Sequence, residues 1–202
     1  MKFYRCISLS LLALLFMGAI NPGKNNCNLI NNYQVTIAGT SNLHSWSEIV
    51  ETVTGEGIIN INNDNSYNLE SFTIKMNVNS FKSDMGSVMN HNTFKALKGD
   101  ANPQVIFLLN VPVKSIQSKT GVTTISVKGN LTIAGTTRFV DIPVMISRPE
   151  SDKFFIQGTY PLKMPDYGVS PPTALFGTLT TGSEVRINFK LNFTSTPLTY
   201  KN

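Results

Sequence analysis

The sequence predicts an all-β fold, a closed antiparallel β-barrel of about eight strands with one short α-helix in a long connection. Beyond Asn31, apolar and polar residues alternate with period two over most of the chain, which is typical of strands with one buried face. No long stretch rich in Ala, Glu, Lys and Leu interrupts this pattern. A closed barrel is favoured over a sandwich because closure removes exposed sheet edges.

The first segment, residues 1–20, is predicted to be a signal peptide. Lys2 and Arg5 precede an uncharged apolar run that stops at an Asn-Pro-Gly sequence. The run is shorter than the roughly 20 apolar residues that a membrane-spanning helix needs, so we expect no permanent membrane anchor. The chain is therefore expected to be periplasmic or secreted after cleavage of the leader.

The positions of the two cysteines indicate how the N-terminal segment is processed. Cys27 does not directly follow the apolar run, as a lipoprotein signal requires, so a lipoprotein is not expected. Loss of Cys6 with the leader would leave Cys27 without an intrachain disulfide partner. We expect residues 21–30 to be a linker and residues 197–202 to be a tail.

Eight segments show the strand pattern, and most are separated by residues that favour turns. Their approximate bounds are 33–39, 47–61, 67–79, 103–116, 122–134, 137–148, 153–163 and 183–194. Only one face of each strand can point into a barrel. Alternation alone leaves open whether the inward side chains pack on one another or surround a ligand. The inward residues of the central strands are Phe72, Ile74, Met76, Val105, Phe107, Leu109, Ile187, Phe189 and Leu191.

The long connection between residues 80 and 102 lacks the alternating strand pattern of the rest of the chain. Met89, Phe94 and Leu97 have near-helical spacing, and Gly99 provides a stop. We predict one short helix there.

The pentapeptide Thr-Ile-Ala-Gly-Thr occurs at 36–40 and again at 132–136. We interpret both copies as strand ends, with the isoleucine facing inward and the glycine allowing the backbone to bend before the next strand. The sequences that follow the two copies differ, which disfavours an internal duplication.

Composition and motifs exclude several function classes. With 202 residues, 41% hydrophobic and 14% charged, the chain can bury one core, so one domain is expected. Its few surplus positive charges are scattered, which disfavours nucleic-acid binding. Two histidines and the lack of known catalytic motifs predict no catalytic residue, no metal and no cofactor. His44, close to Glu48 in sequence, is the residue that a catalytic alternative would use.

Four segments resemble the YceI-like lipid or polyisoprenoid-binding family, in order, from Tyr33 to Phe193. They are "GTSNLHSW", "VNSFKSDMGSVMNHNTFKALKGDANPQVIF", "VKGNLTIAGTTRFVDIPV" and "MPDYGVSPPTALFGTLTTGSEVRINFKLNF". The family's G-x-L-T-I-x-G-V-T is similar to "GNLTIAGTT", which includes the second pentapeptide. The helical segment diverges, with Asn90 where Asp is common and Leu97 in place of an aromatic residue, and resembles a subgroup.

The resemblance implies a lipocalin-like barrel over residues 31–196. It also implies that the nine inward residues line an apolar tunnel for a polyisoprenoid, an isoprenoid quinone or a fatty-acyl-type ligand. The expected mouth of the tunnel is formed by His44, Trp46, Phe94 and Leu97. Two alternatives to a binding protein stay open: an envelope enzyme that uses His44, and a structural or adhesive envelope module without a ligand. A homodimer also stays open.

Overall fold

The computed structural model describes residues 20–117, 121–174 and 178–199. Strands dominate these ranges, with one α-helix and two short 3-10 helices, Val78–Ser80 and Met164–Tyr167. The helix α1 is Ser87–Ala96. The strands are β1 (Ile20–Leu29), β2 (Gln34–Ser41), β3 (Ser45–Val50), β4 (Val53–Ile61), β5 (Tyr67–Asn77), β6 (Phe81–Ser83), β7 (Gln104–Val111), β8 (Val113–Ile116), β9 (Thr123–Ile133), β10 (Thr136–Glu150), β11 (Lys153–Lys163), β12 (Thr173–Ala174) and β13 (Leu179–Thr199).

Eight of these strands form a closed antiparallel barrel. Their order is β1, β4, β5, β7, β9, β10, β11 and β13, and pairing of β13 with β1 closes the ring. The predicted fold, an all-β lipocalin-like barrel with a single short helix, is confirmed. The alternation predicted for β10 is also present, because Val140, Ile142 and Val144 are buried.

The long strand β13 gives the barrel two different ends. Its last part pairs with β1, from Phe193 opposite Leu29 onward. Its first part pairs with β2 instead, and β3 and β6 continue from β2 as a side sheet. Because α1 follows β6 directly, this side sheet carries the helix to one end of the barrel.

The structure differs from the sequence prediction at both termini of the domain. Residues 21–30 were expected to be a linker, but β1 runs to Leu29 and pairs with β4 and β13. The expected tail at 197–202 begins inside β13, where Pro197 pairs with Asn25. Residues 1–19, the predicted leader apart from Ile20, and residues 200–202 lie outside the described ranges.

Two segments predicted as single strands are each divided in two. The segment 47–61 breaks at Glu51 and Thr52, where the chain leaves the side sheet and enters the barrel; the Tyr33 hydroxyl donates to the Glu51 carbonyl, 2.7 Å away. The segment 103–116 breaks at Pro112, which has no N–H to donate to a neighbouring strand.

The two pentapeptides have different structural roles. In the second copy, Ile133 pairs with Thr136, so Ala134 and Gly135 form a two-residue hairpin turn with φ angles of 49° and 82°. In the first copy the strand does not end at Gly39, contrary to our interpretation, but continues to Ser41. Gly39 lies opposite Trp46, and a Cβ atom there would lie 2.4 Å from Cζ2 of the indole ring. The first glycine therefore makes room for a side chain, while the second makes a turn.

Cys27 is a free thiol in the wall of the barrel. It is fully buried on β1, between Gly57 of β4 and Ser195 of β13. Burial raises the pKa of the thiol to about 12, so the neutral form dominates at pH 8.

We expect Cys27 to react with a thiol reagent only when the barrel opens, because a buried neutral thiol is a poor nucleophile. The measurement is the rate of labelling by a chromogenic disulfide at pH 8 in a Cys6→Ser variant, in which Cys27 is the sole cysteine. Labelling should be slow in buffer and rapid in denaturant. Equal rates would contradict the position of Cys27 in a closed wall.

Candidate functional site

The interior of the barrel contains an apolar cavity, here called the barrel chamber, of about 100 Å³. Several water molecules would fit into this volume. Inward side chains of β2, β5, β7, β9, β10, β11 and β13 line it, and Tyr160 is the only one of these described lining residues with a polar group in its side chain. The lining residues are Val35, Leu69, Phe72, Ile74, Met76, Phe107, Leu109, Val127, Leu131, Ile142, Val144, Ile156, Tyr160, Ile187, Phe189, Leu191 and Phe193.

A second cavity, the mouth chamber, lies at the end that carries α1 and has a volume of about 80 Å³. Met76 and Ile187 line both chambers, so the two spaces adjoin along the barrel axis. The residues of the mouth chamber are Ile37, Trp46, Glu48, Met76, Phe81, Met89, Thr93, Ala96, Leu97, Val105, Ile133, Leu162, Met164, Tyr167, Val169, Pro172, Thr181, Val185 and Ile187.

Helix α1 and the turn that follows it cover the mouth chamber with one side of the helix. Met89, Thr93, Ala96 and Leu97 are spaced at helical intervals and all line the chamber. Phe94 packs over Gly99, where a Cβ atom would lie 2.1 Å from the phenyl ring. Glycine at this position therefore lets the ring fold against the chain after the helix.

The opposite end of the barrel is filled by side chains. Tyr67 and Phe154 are almost completely buried, and their rings meet edge to face with centroids 5.1 Å apart. Neither residue lines a chamber. The two chambers thus form a pocket that approaches the surface on the side of α1.

Among the described residues that line the mouth chamber, Glu48 alone carries a carboxyl group. Strand β3 places Trp46, Glu48 and Val50 on its inner face, and Glu48 is only 2% exposed. The Thr93 hydroxyl donates a hydrogen bond to Glu48 Oε1, 2.7 Å away. Burial raises the pKa of the Glu48 carboxyl, and the bond from Thr93 acts in the opposite direction.

Two tyrosines join the chambers on the other side of the barrel. Tyr160 lines the barrel chamber and Tyr167 lines the mouth chamber. Burial raises the pKa of Tyr167, and the nearby Tyr160 acts in the same direction, so the Tyr167 phenol remains neutral under ordinary conditions.

The structure places all nine of the predicted tunnel residues along the pocket. Val105 lines the mouth chamber, and the other eight line the barrel chamber. Among the four predicted mouth residues, Trp46 and Leu97 line the mouth chamber. Phe94 packs against the core beside it. His44 does neither: its side chain is exposed in the β2–β3 turn, where its backbone carbonyl accepts a bond from Ser41 N.

Several lining residues were not predicted. Ile142 and Val144 belong to the predicted apolar face of β10 but were not counted among the tunnel residues, whereas Val127 and Ile156 follow the same period-two rule and could have been found from alternation. Glu48 was considered only as a neighbour of His44, because glutamate is rarely buried and local sequence does not show which face of β3 meets the interior.

Within residues 20–117, 121–174 and 178–199, no three His, Cys, Asp or Glu side chains are close enough together to hold a metal ion. In the same parts of the chain, no helix is both long enough and apolar enough to cross a membrane.

Solved structures of other proteins share this fold. A polyisoprenoid binding domain from Saccharophagus degradans, implicated in plant cell wall breakdown, is 13% identical, with a TM-score of 0.68 over 85% of this chain and 98% of that one. BcnA from Burkholderia cenocepacia is 19% identical, with a TM-score of 0.56 over 79% of this chain and 95% of that one. Identities this low support the fold alone. No curated protein matches the sequence.

The family model described as the YceI-like domain matches residues 32–193. This interval contains β2 to β11 and the pairing of β13 with β2, and it includes every residue named above as lining the two chambers. The family resemblance seen in the sequence is therefore confirmed, and the chain belongs to the YceI-like domain family.

Proposed function

We propose that this protein binds a long apolar chain, of the polyisoprenoid, isoprenoid quinone or fatty-acyl type, inside the barrel. The observation that carries the proposal is the pair of adjoining chambers, which reach the end of the barrel that α1 covers and are lined almost entirely by apolar side chains. Packed cores leave few voids larger than a water molecule, whereas each of these two chambers has room for several water molecules. The polyisoprenoid-binding domain that shares the fold supports the same reading.

The energetics favour a chain of several units. Each buried methylene contributes about 0.8 kcal/mol, so a five-carbon isoprene unit contributes up to roughly 3–4 kcal/mol before ordering costs. A slender chain can extend from the mouth chamber past Met76 and Ile187 into the barrel chamber. A few isoprene units would therefore suffice for tight binding.

Within this proposal the protein has no enzymatic activity of its own and acts outside the cytoplasm. The exposed position of His44, apart from both chambers, supports a binding role over the catalytic alternative. The leader-like residues 1–20 support export. N-terminal sequencing of the protein from separated cell fractions tests the location, and an intact leader on cytoplasmic protein would contradict it.

The direct test is mass spectrometry of lipids that copurify with the protein from its native host. We expect an apolar chain compound in near-stoichiometric amount, because Tyr67 and Phe154 fill the far end of the barrel and leave the bound chain only the end near α1 as an exit. An unrelated exported protein, purified in parallel, is the control. Absence of any enriched lipid, together with no uptake of a fluorescent isoprenoid probe by the delipidated protein, would contradict the proposal.

A further inference from the structure

The mouth chamber contains a polar pair that the binding of a hydrocarbon chain does not require. Glu48 is 2% exposed and points into the chamber, and the Thr93 hydroxyl of α1 lies 2.7 Å from its Oε1 atom. None of the described residues that line this chamber carries a positive charge. Within the part of the chain that the structure describes, the carboxyl group therefore has a hydroxyl partner but no ion-pair partner.

Burial of a carboxyl group without an ion-pair partner is unfavourable in free energy unless a further polar group forms a hydrogen bond with it. Burying a carboxylate costs several kcal/mol, and one hydroxyl bond offsets only part of this cost. The alternation of β3 would allow an apolar residue here, as it does at Val50 on the same face. A carboxyl group retained inside an apolar chamber is thus available to bond a polar group of the occupant.

We propose that Glu48 and Thr93 receive the uncharged, oxygen-bearing end group of the bound chain, an inference that rests on the function proposed above. The protein then selects chains that end in a hydroxyl or carbonyl group over chains that end in a phosphate or a carboxylate. Glu48 is the residue that determines this specificity, and Thr93 positions it.

The geometry fits this end-group preference. A ligand oxygen at Glu48 leaves the apolar part of the ligand directed past Met76 and Ile187 into the barrel chamber. A protonated carboxyl group can donate to a ligand oxygen while its other oxygen accepts the bond from Thr93. The upward shift of the Glu48 pKa by burial favours this protonated form.

An anionic end group of the ligand would be unfavourable in the same chamber. It would lose its hydration in a chamber whose described lining provides no cation, and it would approach a group that can itself become negative. The same argument separates a polyisoprenoid alcohol or quinone from an ionised fatty acid. The chamber therefore discriminates by charge as well as by shape.

The simpler alternative is that the Glu48–Thr93 bond only holds α1 over the mouth. A latch of this kind would affect every ligand equally, since all of them enter past the helix. A specificity residue affects ligands according to their end groups. Binding of three ligands that share one chain and differ at the end group separates the two readings.

The test uses the full-length protein with a fluorescent isoprenoid probe bound. It measures how well farnesol, farnesyl phosphate and the hydrocarbon farnesene each displace this probe. In the unmodified protein, farnesol should bind at least about tenfold more tightly than either of the other two, because only its end group is both uncharged and able to form hydrogen bonds. In Glu48→Met the advantage of farnesol over farnesene should disappear, with farnesene binding unchanged. Glu48→Gln, which still donates and accepts, should retain most of it.

Glu51→Met, the same change at an exposed carboxylate just after β3, is the matched control and should alter no affinity. Equal binding of farnesol and farnesyl phosphate by the unmodified protein would overturn the inference, as would an equal loss of farnesol and farnesene in Glu48→Met. If Glu48→Met fails to fold, the inference is tested by the unmodified protein and Glu48→Gln alone. Both should then bind farnesol more tightly than farnesene and farnesyl phosphate. Farnesene reports on chain binding alone, so failure of all three ligands would overturn the proposed function as well.

Discussion

Ile74→Trp is expected to reduce uptake of a fluorescent isoprenoid or fatty-acyl probe by about tenfold or more, while the thermal midpoint changes by no more than about 5 °C. Ile74 is half-buried on β5 and lines the barrel chamber, which has a volume of about 100 Å³. A larger side chain there can occupy space that a ligand would use. In a tightly packed core the same substitution would have to displace its neighbours and would lower stability instead.

Lys75→Ala is the matched control, because Lys75 is the next residue of the same strand and faces away from the chambers. It should leave both uptake and midpoint nearly unchanged. Probe titration and thermal unfolding on the two variants provide the comparison. A large loss of midpoint with unchanged uptake in Ile74→Trp would show that Ile74 belongs to a packed core and that the chamber is not the binding site.

Gly129→Ala is expected to lower the free energy of unfolding by about 3 kcal/mol, which for a chain of this size lowers the midpoint by about 6–12 °C. Gly129 is buried on β9, beside the irregular pairing between β7 and β9. A Cβ atom there would lie 2.2 Å from the backbone carbonyl oxygen of Leu108 and 2.9 Å from Cζ of Phe107. A backbone atom cannot rotate away as a side chain can, so the two strands would have to separate.

Gly121→Ala provides the control for the change of residue type. Gly121 lies just before β9, and a Cβ atom there would have no atom within 4 Å. The substitution should change the free energy of unfolding by less than about 1 kcal/mol. Chemical denaturation of both variants measures the difference, and equal stabilities would show that β7 and β9 are not as closely apposed at Gly129 as the structure has them.

Period-two alternation was sufficient to predict the barrel wall and the residues that face the pocket. On β5, β7 and β13 the side chains repeat with the period of the strand itself, so the face of Ile74, Phe107 or Ile187 can be assigned without knowing the neighbouring strand. The helix was predicted for a similar reason, because Met89, Phe94 and Leu97 have near-helical spacing in the sequence. These properties depend on residues close together in the sequence.

The closure of the barrel could not be predicted in this way. The segment that becomes β1 contains Pro22, Gly23 and several asparagines, which are uncommon in strands, and its sequence indicates a linker. It forms a strand because β4 and the end of β13 leave one place open between them, and their backbone groups need hydrogen-bond partners. The two Thr-Ile-Ala-Gly-Thr segments illustrate the same point: identical residues make a turn at Gly135 and a space for Trp46 at Gly39.

The sequence by itself determined the all-β class, the short helix and the inward faces of the central strands, because these depend on local periodicity and on residues close together in the chain. It also showed the family, through the resemblance of four segments between Tyr33 and Phe193. Only the tertiary structure decided that β1 closes the barrel, that His44 stays outside the pocket and that Glu48 lies inside it beside Thr93. These outcomes depend on contacts between segments far apart in the sequence. Glu48 and Thr93 are separated by 45 positions, and the fold brings them within one hydrogen bond.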